Sequence, residues 1–361
     1  MTVQLTYVDL GDLYLTWRWE HDPASPRVVV LPRDRVDPPL RDLAAALPTP
    51  LPGETAYQAL ARALTGAYTD RAREAELSGR LAEALLPAQL SAELNEVLLS
   101  GRSLHLRVQP SPSTAQVPWE ALRVDTAERL VHNAIASVLV PATVRGAPTR
   151  HVPPYRPDGP VAAALDPVTP LGPVLGEPTP ALAALRVELG PPVDRTALPG
   201  ALATASRFLY AGHVTTSAHA LDARLHLADG PVAAADLLAT RCPSRVALIA
   251  CESGGEHRYA EPSGLVAAFV HGGAEHVTAT RWVLPTDEGL ARLLPGFARP
   301  PEGVLPAAVL AVHAAHGAHD PVAAVNAWQR DQADRWQTTG DPALTPLLWA
   351  AFGTTWAPPP G

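Results

Sequence analysis

Two residues in this sequence of 361 have the chemistry of a nucleophile and its base, and both close a short apolar run. Cys251 ends RVALIAC, just before the polar, glycine-rich ESGG, and His213 ends RFLYAGH. A thiol is a weak nucleophile until it ionises. A neighbouring imidazole can stabilise the thiolate and later protonate a departing amine. Gly254 and Gly255 would let the chain turn sharply behind Cys251, so that backbone N–H groups, its own among them, point at a developing oxyanion. The same pattern also fits a buried structural cysteine and a hydrogen-bonded histidine, and spacing alone does not separate the two readings.

The chemistry requires that both runs be neighbouring strands ending on one rim. From residue 161 onward, short apolar strands alternate with helical segments: VAAALDP, then PTPALAALRVELG with prolines at its entrance and Gly190 at its exit, RFLYAGH, PVAAADLLATR as a helix, RVALIAC, SGLVAAFVHGG, HVTATRW. That alternation predicts a mostly parallel sheet flanked by helices, an α/β fold whose reactive groups gather at the carboxyl ends of the strands. If the two strands are adjacent, their end residues lie about 5–10 Å apart.

Upstream, VQLTYVDL, LYLTWRWE and RVVVLP alternate as a small antiparallel meander, and residues 54–99 carry helical periodicity fitting two or three helices. The strand LHLRVQP and the segment VPWEALRV follow. Residues 141–160, rich in proline and arginine, lose all periodicity and read as a linker. The expected organisation is therefore 1–140, 141–160 and 161–361.

Composition narrows the function classes. The hydrophobic fraction of 47% specifies a globular chain. No apolar run reaches the roughly 20 residues of a membrane span, and the start lacks a basic segment followed by an apolar one, so a cytoplasmic, non-membrane protein is expected. A net charge of −8 without a basic stripe argues against nucleic acid. There is neither a G-x-G-x-x-G motif nor a Walker lysine, since the chain has no lysine. The two cysteines form no disulfide framework or metal spacing. His313, His316 and His319 read as a solvated helix end rather than ligands, so no metal and no cofactor is assigned.

The blocks VPWEAL (117–122), LYAGH (209–213), LHLADG (225–230), LIACESG (248–254), TATRW (278–282) and LLWAAF (347–352) resemble, in order, those of the CHAT family of caspase-like, clan CD cysteine peptidases, over about residues 80–356. The resemblance implies a caspase-like catalytic half, preceded by a related non-catalytic, pseudo-caspase half. It matches His213 to the family's catalytic histidine and Cys251 to its nucleophile, and so implies an endopeptidase acting on protein or peptide through an acyl-enzyme. The family has glycine directly after the histidine, where its N–H serves the oxyanion hole; here Val214 stands there. Valine keeps the donor, but a β-branched residue fits badly if that position needs positive φ. A catalytically inactive caspase-like scaffold is the alternative.

By the same resemblance, Trp282 and the following VLPTDEG line the pocket for the substrate residue before the cut. Two readings of Asp287 and Glu288 stand: carboxylates selecting Arg or Lys, or an acidic loop capping a helix. A basic preference would let the enzyme clip itself at Arg145, Arg150 or Arg156 in the linker. Trp119, Glu120 and Trp349 are read as architectural, with tryptophan packing the two halves together. Family members often carry repeat or effector domains, so a separate activating or recognition protein is expected here.

Overall fold

The computed structural model describes residues 1–259, 263–294 and 296–359; the last two residues of the expected second domain lie outside these. The chain forms two compact units, one of residues 1–139 with 326–350, the other of 140–325 with 351–361.

In the first unit, β1 (Thr2–Leu10), β2 (Asp12–Trp19) and β3 (Asp22–Leu31) form the meander, joined by β4 (Leu104–Gln109) and β5 (Ala134–Val138). The order is β3-β2-β1-β4-β5, with β4 parallel to both β1 and β5. β1 and β2 bury alternate residues, as the period-two pattern requires. Trp119 stacks on Tyr7 at 5.1 Å, so its packing partner lies within this unit. Trp349 donates its indole N–H to the Leu344 carbonyl at 3.0 Å, and the Arg129 guanidinium lies 5.9 Å from its ring centre. Arg129 in turn forms a buried two-point pair with Glu74 at 2.6 and 2.8 Å, the geometry that makes a charge tolerable in a core.

The second unit contains β6 (Val161–Leu165), β7 (Arg207–Gly212), β8 (Val214–Thr215), β9 (Arg224–Leu227), β10 (Gly230–Ala233), β11 (Arg245–Ala250), β12 (His276–Thr280) and β13 (Phe352–Trp356). Five of these run in the order β13-β12-β11-β7-β6, parallel except for β13. All six residues of β11 are buried, as expected of a strand covered on both faces. Phe208 on β7 stacks on Phe269 of the helix Leu265–His271 at 5.7 Å. β8, β9 and β10 make a separate three-stranded sheet.

Three expectations change. The PVAAADLLATR segment is not one helix: Gly230, at φ 136°, turns residues 230–233 back onto β9, leaving only the short helix Ala234–Leu237. The proline-rich stretch 141–160 is anchored rather than loose. Arg150 is buried and donates to the carbonyls of Val270 (2.8 Å), Ala274 (3.0 Å) and Ala357, and the Arg245 guanidinium lies 3.3 Å from the centre of the Tyr155 ring. Arg150 is thus not offered to a protease. Finally, His316 is buried, bonded through Nε2 to Thr278 Oγ1 at 2.7 Å, and is no solvated helix end.

Burial holds His316 well below the ordinary imidazole range and pushes His257 and His276 down to about 4. It pushes the Glu256 carboxyl up to about 7. A histidine whose folded pKa is depressed leaves the unfolded chain holding more protons below pH 6.5, so its stabilising effect is lost as pH falls from 6.5 towards 4. Glu256 acts oppositely and offsets part of that loss. His257 and His276 each contribute on the order of 3 kcal/mol of loss by pH 4, and His316 adds to it in the same direction. Thermal melts should therefore fall steeply between pH 6.5 and 4, and His276→Gln should flatten that slope.

Candidate active site

β7 and β11 run side by side in parallel register, Arg207 opposite Arg245 and Gly212 opposite Ala250. His213 and Cys251 are the next residue on each strand, so they leave one rim at the same level, on backbones about 4.8 Å apart. This is the adjacency that a thiol–imidazole pair requires.

His213 donates Nε2–H to the Gly172 carbonyl at 2.9 Å. A carbonyl can only accept, so Nε2 bears the proton and the neutral ring keeps Nδ1 as its basic nitrogen. The His213 main chain is fixed from below: the buried Tyr210 hydroxyl donates to its carbonyl at 2.6 Å and accepts the His226 N–H at 3.1 Å. Val214 opens β8 as extended backbone outside the left-handed region, so valine fits this position without strain. The His226 N–H bond to the His213 carbonyl (3.1 Å) makes 213 and 226 a hydrogen-bonded pair. The N–H of Val214, the next residue, therefore points away from β9.

Cys251 is half-buried. Burial pushes its thiol above the ordinary value and the adjacent Glu252 carboxylate adds to that, while the Leu284 N–H, hydrogen-bonded to the sulfur, pulls it back. The turn behind it differs from the glycine-led expectation. Glu252, not glycine, takes the left-handed conformation at φ 53°, fixed by a two-point pair with Arg258 at 3.1 and 2.8 Å. Gly254 is needed for space: a Cβ there would come within 3.1 Å of the Ala279 Cβ. Its N–H bonds the Thr280 carbonyl at 2.9 Å, and that of Glu252 bonds the Trp282 carbonyl at 3.2 Å, tying the turn to the end of β12.

Trp282 is fully buried. Asp287 is also buried, and its carboxylate accepts the Val304 and Leu305 N–H groups at 2.6 and 3.2 Å, capping the helix Val304–Gly317. Glu288 is exposed and pairs with Arg292 one turn on at 2.7 Å. Both carboxylates thus serve helices, as in the second sequence reading. Cys242 is sealed, its thiol pushed up to about 12 by burial. Sequence reasoning missed the Gly172 carbonyl, the Tyr210 hydroxyl and the Leu284 N–H; two of these are backbone groups, which residue type does not reveal. Among the described residues no group of three or more His, Cys, Asp or Glu is arranged to hold a metal, and no helix is long and apolar enough to cross a membrane.

The CHAT domain, as a family sequence pattern, matches residues 75–356. No curated protein matches the chain in sequence. Among solved structures it resembles a chain of the Saccharomyces cerevisiae separase–securin complex in two crystal structures, with TM-scores of 0.55 and 0.53 at 11% and 12% identity. Each likeness covers 98% of this chain and 30% of that one, so this chain spans about a third of the neighbour's length. At that identity the likeness shows the fold, a mostly parallel caspase-like sheet flanked by helices.

Two outcomes are expected. Iodoacetamide at pH 7.5 should modify Cys251 and spare Cys242, read by peptide mass spectrometry. Asp287→Ala should cost about 1 kcal/mol of stability through the lost helix cap, read by denaturant melts, while leaving Cys251 labelling unchanged.

Proposed function

The chain belongs to the CHAT-domain family of caspase-like proteins, and we propose that it is a cysteine endopeptidase with His213 and Cys251 as its dyad. The observation that carries this reading is the register of β7 and β11, which brings an imidazole with a free Nδ1 and a half-buried thiol to one rim.

The proton of Cys251 passes to His213 Nδ1 as the sulfur attacks the scissile carbonyl carbon. A C–S bond forms, and the oxyanion takes N–H bonds from Cys251 and Val214. Collapse breaks the C–N bond, and His213 hands its proton to the departing amine. Water then attacks the thioester and gives a proton to His213. The C–S bond breaks and the sulfur recovers that proton, leaving a carboxylic acid product. The thiol, raised by burial, rests in its neutral form, so the thiolate is made on demand by His213.

The segment after β12, which brings the Leu284 N–H beside the sulfur, is the proposed wall of the substrate cleft, with the fully buried Trp282 supporting it from within the core rather than lining it. A preference for a basic residue before the cut finds no support in Asp287 or Glu288, whose carboxylates are engaged with helices. A separate activating or recognition protein belongs to the proposal, in keeping with a structural neighbour solved as a complex with securin. The inactive-scaffold reading is favoured by one observation, the raised thiol of Cys251.

A peptide-library cleavage assay separates the two. The wild-type protein should cut, Cys251→Ala should not, and His213→Ala should lose about 10²–10⁴-fold in rate. Cleavage surviving Cys251→Ala would remove the peptidase reading, and a wild-type protein that cuts nothing would favour the scaffold.

A further inference from the structure

We propose that Asp166 is a positioning residue for His213, clamping the loop that presents the Gly172 carbonyl to the imidazole. The proposal rests on the dyad reading above and adds to it a residue acting through the loop rather than touching substrate.

Asp166 directly follows β6 and extends that strand's ladder: its N–H donates to the Ala211 carbonyl at 2.6 Å, two residues before His213. There it turns into the left-handed region at φ 51°, a conformation that among the described non-glycine residues only Glu252 shares. Aspartate tolerates it better than most side chains. The two left-handed residues thus follow the ends of β6 and β11, the strands on either side of β7.

The Asp166 side chain is buried, 6% exposed, and each carboxylate oxygen takes one of two successive backbone donors, Val174 N–H at 2.8 Å and Leu175 N–H at 3.2 Å. The carboxylate therefore closes residues 166–175 into a ring, with the Arg186 guanidinium 3.9 Å away to balance its charge. Inside the ring, Thr169 accepts the Leu171 N–H on Oγ1 (3.3 Å) and the Gly172 N–H on its carbonyl (3.2 Å), and Gly172 turns at φ 83°. Val168 and Leu171 are 87% and 48% exposed, so apolar packing does not fix the tip. Val174 and Leu175 are buried and anchor the end of the loop, and the Asp166 clamp ties that anchored end back to β6, which sets where the Gly172 carbonyl points.

That carbonyl decides which nitrogen of His213 is basic. Lose it, and the ring is free to rotate or to move its proton to Nδ1, and the base is gone. The other groups facing His213 do not replace it. The Tyr210 hydroxyl bonds the His213 main chain rather than the ring, and His226 is bonded through Nε2 to Thr215 Oγ1 at 2.9 Å.

The test is the rate of Cys251 alkylation by iodoacetamide on the full chain across pH 5–10, with Cys242 as internal control, since a misfolded variant would expose it. In His213→Ala the neutral thiol loses the base that takes its proton as it attacks, so labelling should fall about 10-fold at pH 7 and recover only above the ordinary thiol range, where the thiol ionises unaided. Asp166→Ala should reproduce that profile within about threefold, Asp166→Asn should lie between it and wild type, and the double variant His213→Ala/Asp166→Ala should be no slower than His213→Ala alone, because both act through one group. If Asp166→Ala exposes Cys242, Asp166→Asn carries the test. Wild-type profiles for the Asp166 variants, beside a slowed His213→Ala, would overturn the positioning role alone. A wild-type profile for His213→Ala would overturn the dyad reading and this proposal with it.

Discussion

The site depends on one constraint, the parallel register that sets Gly212 opposite Ala250. Side chains alternate along a strand, so a slip of one residue would turn every side chain of β7 to the other face. It would also carry His213 a residue away from the level of Cys251. The apolar content of both strands fixes the register: Phe208, Tyr210, Val246 and Leu248 share one core, which a slipped pairing could not keep.

Around that register the rim is held by polar bonds that reach back into the sheet. Ser253 Oγ donates to the Leu248 carbonyl at 2.6 Å, and Thr280 Oγ1 donates to the Ala250 carbonyl. A left-handed residue costs about 1–2 kcal/mol and persists only where its surroundings over-determine it. Glu252 meets that condition through Arg258 and the bonds to β12. The electrostatics follow from the same enclosure, because surroundings that immobilise the turn also withdraw the sulfur from water.

Much of this is legible in the sequence. Apolar runs ending in His213 and Cys251 mark two strand ends, and alternating strands and helices predict the parallel sheet. What is not legible is non-local. Pro38 and Pro39 hide the helix Arg33–Ala46, where tertiary contacts of Val36 and Leu43 outweigh the proline penalty. Nothing in the local pattern of 326–350 says that Asn326 will bond both backbone groups of Ala136, at 2.7 and 3.2 Å. Asp287 stays open between a pocket carboxylate and a helix cap until the start of a helix seventeen residues on is seen to need it. The Asp-Pro that ends VAAALDP was the local trace of the His213 loop, but residue type alone does not say that a carboxylate will face two amides.

The sealing of Cys242 has a consequence for redox chemistry. With that sulfur enclosed, peroxide or a small disulfide reaching the second unit has one sulfur to attack, and because Cys242 precedes β11 and Cys251 follows it, the length of the strand keeps them too far apart to shelter each other as a disulfide. Oxidants attack the thiolate rather than the neutral thiol. The enclosure that keeps Cys251 protonated at rest therefore also guards it, and vulnerability to oxidative loss rises in step with deprotonation.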